Sequence, residues 1–238
     1  MENTVYDDFA ERLRMFELTL TPKQERQFKQ YYELLIEWNE KMNLTAITEV
    51  NEVYQKHFFD SITPIVSFDF LSIQTLCDVG SGAGFPAFAL KIIYPHLQIT
   101  IVESLAKRLN FLNYVANALE FTDITLIHER AEIYGQKNRE KFDVVIARAV
   151  ARLPMLSELC VPLVKVNGTF IAMKGEQGVS EYRSAVQALK TLGISEVIEK
   201  EFYLNNQSDK RLILYCTKTK KTPITYPRQF SKIKNQSL

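Results

Sequence analysis

The sequence predicts an α/β protein with a doubly wound, seven-stranded, mostly parallel sheet, an antiparallel last strand and an N-terminal helical extension. Two observations predict this fold. From residue 73 onward, short apolar runs alternate with amphipathic segments of helical length. The first run leads into a glycine-rich turn, TLCDVGSGAGFP (75–86), of the kind that joins a strand to a helix at the ligand-binding edge of a sheet.

The N-terminal extension is predicted to be helical over residues 5–66. Thr21-Pro22 is typical of a helix start, and Gln24 stands three residues after the cap. The apolar residues that follow recur at steps of three and four, which is one face of a helix: Phe28, Tyr31, Leu35, Trp38 and Met42. Thr63-Pro64 is expected to interrupt the last helix of the extension.

The periodicity then predicts the sheet and its helices. Strands are expected at about residues 73–79, 98–103, 124–128, 142–147, 167–173, 196–203 and 211–217. Helices are expected at about residues 85–94, 105–119, 130–136, 152–163 and 179–191. The short polar link 205–210 predicts that the last two strands form an antiparallel hairpin. The predicted division is an extension (1–66), a sheet domain (67–218) and a mobile basic tail without periodicity (219–238).

The charge is distributed unevenly along the 238 residues. The whole chain carries 29 basic and 28 acidic side chains, a net charge of +1. Residues 210–238 nevertheless hold eight basic residues and no acidic one, so a body of −7 precedes an end of +8. This asymmetry predicts a polyanionic partner at the C-terminal end, such as a nucleic acid.

The remaining composition indicates a compartment. Three cysteines without CxxC spacing lie in apolar runs, which is typical of buried thiols in a reducing compartment and not of a zinc site or a disulfide framework. The N-terminus is acidic and amphipathic, unlike a signal peptide, and no apolar stretch has the length of a membrane span. We therefore expect a cytoplasmic protein with neither a metal nor a membrane partner.

The glycine-rich turn is the strongest chemical signal. Asp78, Gly80, Gly82 and Gly84 form a D-x-G-x-G-x-G pattern. A dinucleotide site needs a small third residue for close helix packing, and Phe85 stands there instead. The acidic residue before the turn would repel a pyrophosphate but suits a cationic amino group. The pattern therefore favours S-adenosylmethionine over a dinucleotide, and a purely structural turn remains the alternative.

Two further positions indicate a nucleoside. Glu103 ends the second predicted strand, where a carboxylate can accept hydrogen bonds from both ribose hydroxyls, although a lone acid of this kind can also be solvated surface. Ala131 and Glu132 follow the third strand and could lie against an adenine edge. Alternatively, Glu132 has no ligand and is simply an acidic residue that the dipole of a helix N-terminus stabilises.

The fourth predicted strand limits the chemistry. Its continuation, FDVVIARAVARLP, has neither the Asn/Asp-Pro-Pro-aromatic segment of exocyclic-amine methyltransferases nor a Pro-Cys nucleophile. Nothing local pairs His57 with Asp60 as acid and base. An acceptor that needs no deprotonation, such as guanine N7, would explain both absences, because catalysis would then be mainly positioning. Arg148 and Arg152 could hold a phosphate or guanine O6, or could be ordinary basic residues at a helix start.

The motifs in combination resemble one family. They are NLTAI (43–47), HFFDS (57–61), DVGSGAGFP (78–86), RAE (130–132), ARAVARL (147–153), MKG (173–175) and YPR (226–228). Together they resemble the bacterial small-subunit ribosomal RNA guanine-N7 methyltransferases, historically called glucose-inhibited division protein B. The resemblance spans essentially the whole chain. It departs at Phe85-Pro86-Ala87, where a glycine is expected in place of Ala87.

The resemblance implies a Rossmann-like class I S-adenosylmethionine-dependent methyltransferase that modifies one guanosine N7 in the decoding-region loop of 16S ribosomal RNA. It implies cofactor contacts from Gly80, Phe85, Ala131, Glu132 and Arg148, with Arg148 facing either cofactor or guanine. Arg148 and Lys174 are the predicted catalytic residues. The predicted RNA contacts are Arg152, Lys174, Arg211, Lys218, Lys220, Lys221 and Arg228.

The predicted substrate is 16S ribosomal RNA or the small ribosomal subunit, and the predicted oligomeric state is a monomer. A methyltransferase for a small molecule or a protein would explain the cofactor loop but not the basic end. An RNA-binding protein with a vestigial cofactor site is the third possibility, and the intact glycine pattern argues against it.

Overall fold

The computed structural model describes residues 2–204 and 209–238. Its sheet has the strand order β3-β2-β1-β4-β5-β7-β6. The strands are β1 (Thr75–Val79), β2 (Gln98–Glu103), β3 (Ile124–His128), β4 (Phe142–Arg148), β5 (Val164–Lys174), β6 (Ile194–Tyr203) and β7 (Lys210–Lys218). Strands β1 to β5 pair in parallel, whereas β7 is antiparallel to both β5 and β6. The predicted sheet and its closing hairpin are confirmed, and most of the predicted link, residues 205–208, lies outside the described residues.

Helices cover both faces of the sheet. They are α5 (Ala87–Ile93), α6 (Ala106–Ala118), α7 (Ala131–Lys137), α8 (Leu153–Cys160) and α9 (Gly178–Leu192). Successive residues of β4 enter opposite cores: Val144 and Ile146 pack on one side of the sheet, Val145 and Ala147 on the other. Residues 144–147 of this strand are apolar at every position because both faces of the sheet are buried there. The order reverses beside β1, so β1 and β4 flank the crevice where ligands of such sheets bind.

The N-terminal extension consists of helices packed on the first of these cores. It comprises α1 (Glu2–Arg14), α2 (Pro22–Met42), α3 (Val50–Val53), a π-helical turn (Tyr54–Phe59), α4 (Asp60–Ile62) and a 3₁₀ helix (Thr63–Ser67). Thr21 caps α2 in a capping box with Gln24, as the sequence predicts. The predicted interruption at Thr63-Pro64 is confirmed, because the helix changes there to the tighter 3₁₀ form.

The C-terminal segment, residues 219–238, differs from the expected mobile tail. It contains a short helix, α10 (Phe230–Asn235), whose Ile233 side chain is fully buried in the second core. Thr222 is also buried, and its hydroxyl donates to the Leu192 carbonyl at 2.7 Å. The expectation was wrong because lone apolar residues in a polar segment can dock on a neighbouring core without any visible periodicity. The boundaries at 66/67 and 218/219 stay predictions.

Across residues 2–204 and 209–238, no helix is long and apolar enough to cross a membrane. The same residues contain no cluster of three His, Cys, Asp or Glu side chains suited to holding a metal ion.

Candidate active site

Two cavities adjoin at the carboxyl edge of the parallel strands. We call the first, of about 450 Å³, the cofactor cavity and the second, of about 610 Å³, the acceptor cavity. The segment Ala149–Ala151, which follows β4, lines both of them. Ala149 in this segment has a left-handed backbone with φ +57°. This conformation favours glycine, and a residue with a side chain adopts it only where the surrounding structure holds it there. Groups bound in the two cavities would therefore meet at this strained segment.

The cofactor cavity gathers four of the predicted cofactor residues. Its lining includes Gly80 after β1, Glu103 at the end of β2, and Ala131 and Glu132 at the start of α7. Glu103 is buried and accepts hydrogen bonds from Gly82 N at 3.3 Å and Leu105 N at 3.0 Å. These bonds hold the carboxylate at the strand end while it retains acceptor capacity for a ligand's hydroxyls.

Asp78 provides the test of whether the site suits a ligand with a cationic amino group. The side chain is fully buried, and Oδ2 accepts from Ala87 N at 3.1 Å. Oδ1 has no hydrogen-bond partner among the described residues. Burial raises the pKa of Asp78 to about 7, against the lowering influence of the nearby Ser81 hydroxyl, the Ala87 amide and the Arg148 charge. A buried, unpartnered carboxylate oxygen is costly, and an ammonium donor would satisfy it. The site therefore fits the methionine moiety of S-adenosylmethionine.

The glycines of the turn serve different purposes. All three have positive φ: +74° at Gly80, +61° at Gly82 and +97° at Gly84. A Cβ atom at Gly84 would stand 2.5 Å from Tyr31 Oη and 2.8 Å from a Phe88 ring carbon. Gly84 is thus required by internal packing against α2 and α5. At Gly82, by contrast, no atom lies within 4 Å of the position that a Cβ atom would occupy. Phe85 supports the site from behind, stacked between Tyr31 and His57 and outside the cavity lining.

The acceptor cavity is organised around Arg148. Its guanidinium donates from Nη1 to Asp60 Oδ2 at 2.9 Å and to the Lys56 carbonyl at 3.0 Å, and it lies 5.1 Å from the centre of the Phe85 ring. Arg211 Nε donates to the other Asp60 oxygen, Oδ1, at 3.2 Å. One carboxylate thus aligns two arginines on one wall of the cavity. Arg148 lines the acceptor cavity and is absent from the lining of the cofactor cavity.

His57 completes this network as a neutral side chain. Burial and the charge of Arg148 lower the pKa of His57 to about 3. Arg148 Nη2 lies 3.3 Å from Nδ1, and because arginine can only donate, Nδ1 accepts. The proton therefore sits on Nε2, which donates to Thr45 Oγ1 at 2.8 Å. The NLT and HFFDS segments of the extension meet Arg148 through this chain of contacts.

Lys174 lies at the same edge of the sheet and contacts the segment Ala149–Ala151 that separates the two cavities. Its ammonium donates to the Ala151 carbonyl at 2.6 Å and pairs with Glu181 Oε2 at 2.8 Å, and the side chain is buried. The same Glu181 oxygen accepts from Leu153 N at 2.8 Å. Lys174 therefore ties β5 and α9 to the segment that both cavities share, which is a positioning arrangement.

Comparison with known proteins shows the family of the chain that carries these two cavities. The family model described as rRNA small subunit methyltransferase G matches residues 24–211. A protein named ribosomal RNA small subunit methyltransferase G from Bacillus cytotoxicus is 54% identical over 214 residues, which cover 89% of this chain and 90% of that protein. Its namesake from Macrococcus caseolyticus is 53% identical over 222 residues, 93% of each chain. The chain belongs to the rRNA small subunit methyltransferase G family. The resemblance inferred from the motifs is confirmed.

Solved structures agree at the level of the fold. An O-methyltransferase from Bacillus cereus in complex with SAH superposes with a TM-score of 0.58 at 13% identity, covering 79% of this chain and 91% of that one. The YcgJ protein from a Bacillus species superposes with a TM-score of 0.51 at 12% identity, covering 69% and 100%. The predicted class I methyltransferase fold is confirmed for this member of the methyltransferase G family.

The structure separates the predicted RNA contacts of this family member into two groups. Arg152, Lys174 and Arg211 line the acceptor cavity, and Arg152 is exposed there. Lys220 and Lys221 are exposed, but neither lines that cavity. A role in RNA binding for these five residues stays a prediction.

Lys218 and Arg228 are held by partners inside the protein and lie outside the acceptor cavity lining. Lys218 is fully buried and donates to the Val161 and Val164 carbonyls at 3.0 and 2.8 Å, so the expectation that it contacts RNA is wrong. Arg228 makes a multiple contact with the fully buried Glu158, including Nη2 to Oε2 at 2.7 Å. A guanidinium held in this way is a structural anchor and not a free phosphate ligand.

Replacing Lys218 with methionine should reduce stability without changing RNA affinity. The variant keeps the side-chain volume but leaves two carbonyls and Glu140, 3.5 Å from the ammonium, without their buried donor. We expect the free energy of unfolding to fall by about 3 kcal/mol. Urea unfolding measures this, with the exposed Lys220→Met as the matched control. A stable Lys218→Met protein with weakened RNA binding would contradict the assignment.

Sequence reasoning missed several residues of the site. The periodicity places Tyr31 on a helix face and predicts nothing more for it, yet its hydroxyl donates to the Ala83 carbonyl at 2.6 Å inside the glycine turn. Glu181 and Phe230 were not singled out at all. Phe230 and Ile233 stand three residues apart in the C-terminal segment, a spacing that could have indicated a helical turn.

Proposed function

We propose that this chain transfers a methyl group from S-adenosylmethionine to small-subunit ribosomal RNA. The observation that carries the proposal is the opposite charge of two adjoining cavities. The acceptor cavity is lined by five basic and two acidic side chains, the cofactor cavity by two basic and three acidic ones. The first suits a polyanion and the second a sulfonium cation. Family membership supports both halves of the proposal.

When bound, S-adenosylmethionine supplies an electrophilic methyl group on its sulfonium. The chain's part is to hold this cofactor. Asp78 carries the unpartnered carboxylate oxygen for the amino group, Glu103 accepts from the ribose hydroxyls, and Ala131 with Glu132 borders the base. The left-handed glycine turn brings the backbone close to the ligand at Gly80.

The acceptor we propose is N7 of one guanosine in the decoding-region loop of 16S ribosomal RNA. An N7 lone pair needs no deprotonation, so the site needs no general base. Three titratable side chains that line the acceptor cavity have partners already: His57 at both nitrogens, Asp60 at both oxygens and Lys174 at its ammonium. This engagement supports catalysis by positioning, in which correct placement of the reacting atoms supplies most of the acceleration.

Arg148 and Arg152 are the residues we propose for holding the acceptor. Arg148 uses Nη1 for Asp60 and the Lys56 carbonyl and one Nη2 proton for His57, which leaves Nε and one Nη2 proton without a partner in the described part of the chain. These donors can meet guanine O6 or a phosphate. Arg152 is exposed at the mouth of the same cavity.

Mapping methylated guanosines in ribosomal RNA tests the proposal. Ribosomal RNA from cells with and without the protein should differ at one N7-methylguanosine in 16S ribosomal RNA, and the purified protein with S-adenosylmethionine should restore it. Methylation of a small molecule or a protein with unmodified RNA would refute the substrate. RNA binding without methyl transfer would refute the enzymatic activity.

The salt dependence of RNA binding tests where the RNA lies. Arg152→Gln should lower the slope of log K against log salt by about 1, since one phosphate contact is lost. The double variant Lys220→Gln/Lys221→Gln is the comparison, because it removes two exposed charges outside the acceptor cavity. A larger change in the double variant than in Arg152→Gln would place the RNA along the C-terminal segment instead.

We also propose that the chain acts as a monomer and that it lies in the cytoplasm, the second of which is supported by the buried, unpaired cysteines.

A further inference from the structure

The helix α10 borders the cofactor cavity. Phe230, its first residue, belongs to the lining. The guanidinium of Arg130 lies 4.0 Å from the centre of the Phe230 ring, and Arg130 Nε donates to Glu132 Oε1 at 2.5 Å. A cation over an aromatic face is a favourable contact. Phe230, Arg130 and Glu132 thus form one continuous end of the cavity.

This end is the one where the base of the cofactor would lie. Sheet order places β1, β2 and β3 side by side, and the lining residues Gly80, Glu103 and Ala131 follow these strands in the same order. A methionine moiety near the glycine turn and a ribose at Glu103 leave the β3 side for the adenine. Phe230 stands on the β3 side, because its ring packs on Arg130, the residue before Ala131.

The C-terminal segment is fastened so that Phe230 stays in place. Arg228, two residues earlier, donates to both oxygens of Glu158 on α8, from Nε to Oε1 at 2.9 Å and from Nη2 to Oε2 at 2.7 Å. Glu158 is fully buried, and its neighbours Met155 and Leu159 on α8 line the cofactor cavity. One helix therefore provides both the anchor for the segment and a wall of the cavity.

A second set of contacts comes from α7 and the turn that follows it. Arg139 donates to the Tyr226 carbonyl and, at 2.6 Å, to the Thr222 carbonyl. Gln136 donates to the Pro227 carbonyl at 3.1 Å. Because α7 begins at Ala131, the cavity's own helix holds the segment on its other side.

We infer that Phe230 is a cofactor-binding residue and that the C-terminal segment completes the adenine end of the S-adenosylmethionine site. The inference rests on the proposed function, since it concerns the same cofactor. Docking of the segment and binding of the cofactor then favour each other, because a ligand that contacts only the docked form stabilises it. The basic residue Arg228 acts as the anchor of this wall.

Cofactor titration of a Phe230→Ala variant tests the inference. Its affinity for S-adenosylmethionine should fall about tenfold, because an aromatic contact is lost. Adenosine affinity should fall by the same factor, since the loss is at the base. Phe230→Tyr should retain most of the affinity. Lys232→Ala is the matched control: Lys232 is exposed on the same helix and is absent from the cofactor cavity lining, so its cofactor affinity should be unchanged.

The outcomes separate this inference from the proposed function. Unchanged affinity of Phe230→Ala, with normal binding by the wild-type chain, overturns the inference alone. A wild-type chain that binds no S-adenosylmethionine overturns the proposed function. A Phe230→Ala variant that loses S-adenosylmethionine affinity but keeps adenosine affinity also overturns the inference, because the contact would then not be with the base.

Discussion

An Asp78→Asn variant should bind S-adenosylmethionine about a hundredfold more weakly than the wild-type chain. The substitution preserves size and the hydrogen bond from Ala87 N, but it removes the negative charge that we propose as the partner of the ligand's amino group. Loss of one partner from a buried charge pair weakens binding by about 2–5 kcal/mol. Isothermal calorimetry measures the difference. An affinity within threefold of wild type would show that the buried carboxylate does not contact the cofactor.

The same pair of proteins should differ in pH dependence. The free protein holds Asp78 with a pKa of about 7, and cofactor binding requires its ionised form. Wild-type affinity should therefore fall as the pH drops below 7, by up to tenfold per unit. Asp78→Asn should show no such fall, so the difference between the two profiles isolates this one group.

The stability of the cofactor-free chain should depend on pH in the opposite direction to its cofactor affinity, and should rise as the pH falls. Because the pKa of Asp78 is raised from 3.8 to about 7 on folding, the folded chain holds a proton between these values that the unfolded chain releases. Stability therefore falls as the pH rises through this window, and the whole loss is present above pH 7. Asp78→Asn removes the loss and should raise the free energy of unfolding at pH 8 by about 4 kcal/mol, since each of the roughly three pKa units corresponds to about 1.4 kcal/mol. Urea unfolding at pH 8 measures it, and a less stable variant would contradict the argument.

Gly84→Ala should be the most damaging substitution in the glycine turn. The new Cβ would stand 2.5 Å from Tyr31 Oη at φ +97°. Tyr31 is fully buried and packed between Phe58 and Phe85, with ring centres 5.2 and 5.3 Å away, so it has no room to move. We expect the free energy of unfolding to fall by about 3 kcal/mol and cofactor binding to be lost with the turn geometry.

Gly82→Ala is the matched control for this prediction. Its φ of +61° is also left-handed, but nothing lies within 4 Å of the added Cβ, so only the backbone strain of about 1 kcal/mol remains. Tyr31→Phe sharpens the test further. Because it removes the clashing hydroxyl, Gly84→Ala should destabilise the Tyr31→Phe background by less than it destabilises the wild-type chain. Equal destabilisation in both backgrounds would place the clash elsewhere.

Local patterns predicted most of the sheet. The predicted strands 98–103 and 124–128 coincide with β2 and β3, because an apolar run bounded by polar residues is visible within a few positions. β5 begins earlier than predicted, at Val164. Asn167, with φ +69°, and Gly168 break the apolar run there, yet pairing with β4 continues through a register shift. Pairing with a distant strand is not encoded in a local pattern.

The burial of charged residues in the C-terminal part of the chain could not be predicted from the sequence. Lys218 and Lys220 are two residues apart in one basic run, but the first is fully buried and the second exposed. The difference arises because Lys218 is the last residue of β7 and its ammonium reaches the carbonyls of residues 161 and 164, whereas Lys220 lies beyond the end of the strand. The basic run predicts exposed side chains and RNA contacts for both lysines, because a count of charges carries no information about burial.

By itself, the sequence determined the order of strands and helices, the glycine turn, the acidic residue before it and the family. These features depend on residues close together in the chain, where periodicity and spacing are visible. Only the tertiary structure decided that Arg148 faces the acceptor cavity, that Lys174 supports the shared wall and that the C-terminal segment closes against α7 and α8. Each of these depends on contacts between residues 23 to 92 positions apart, which folding alone brings together.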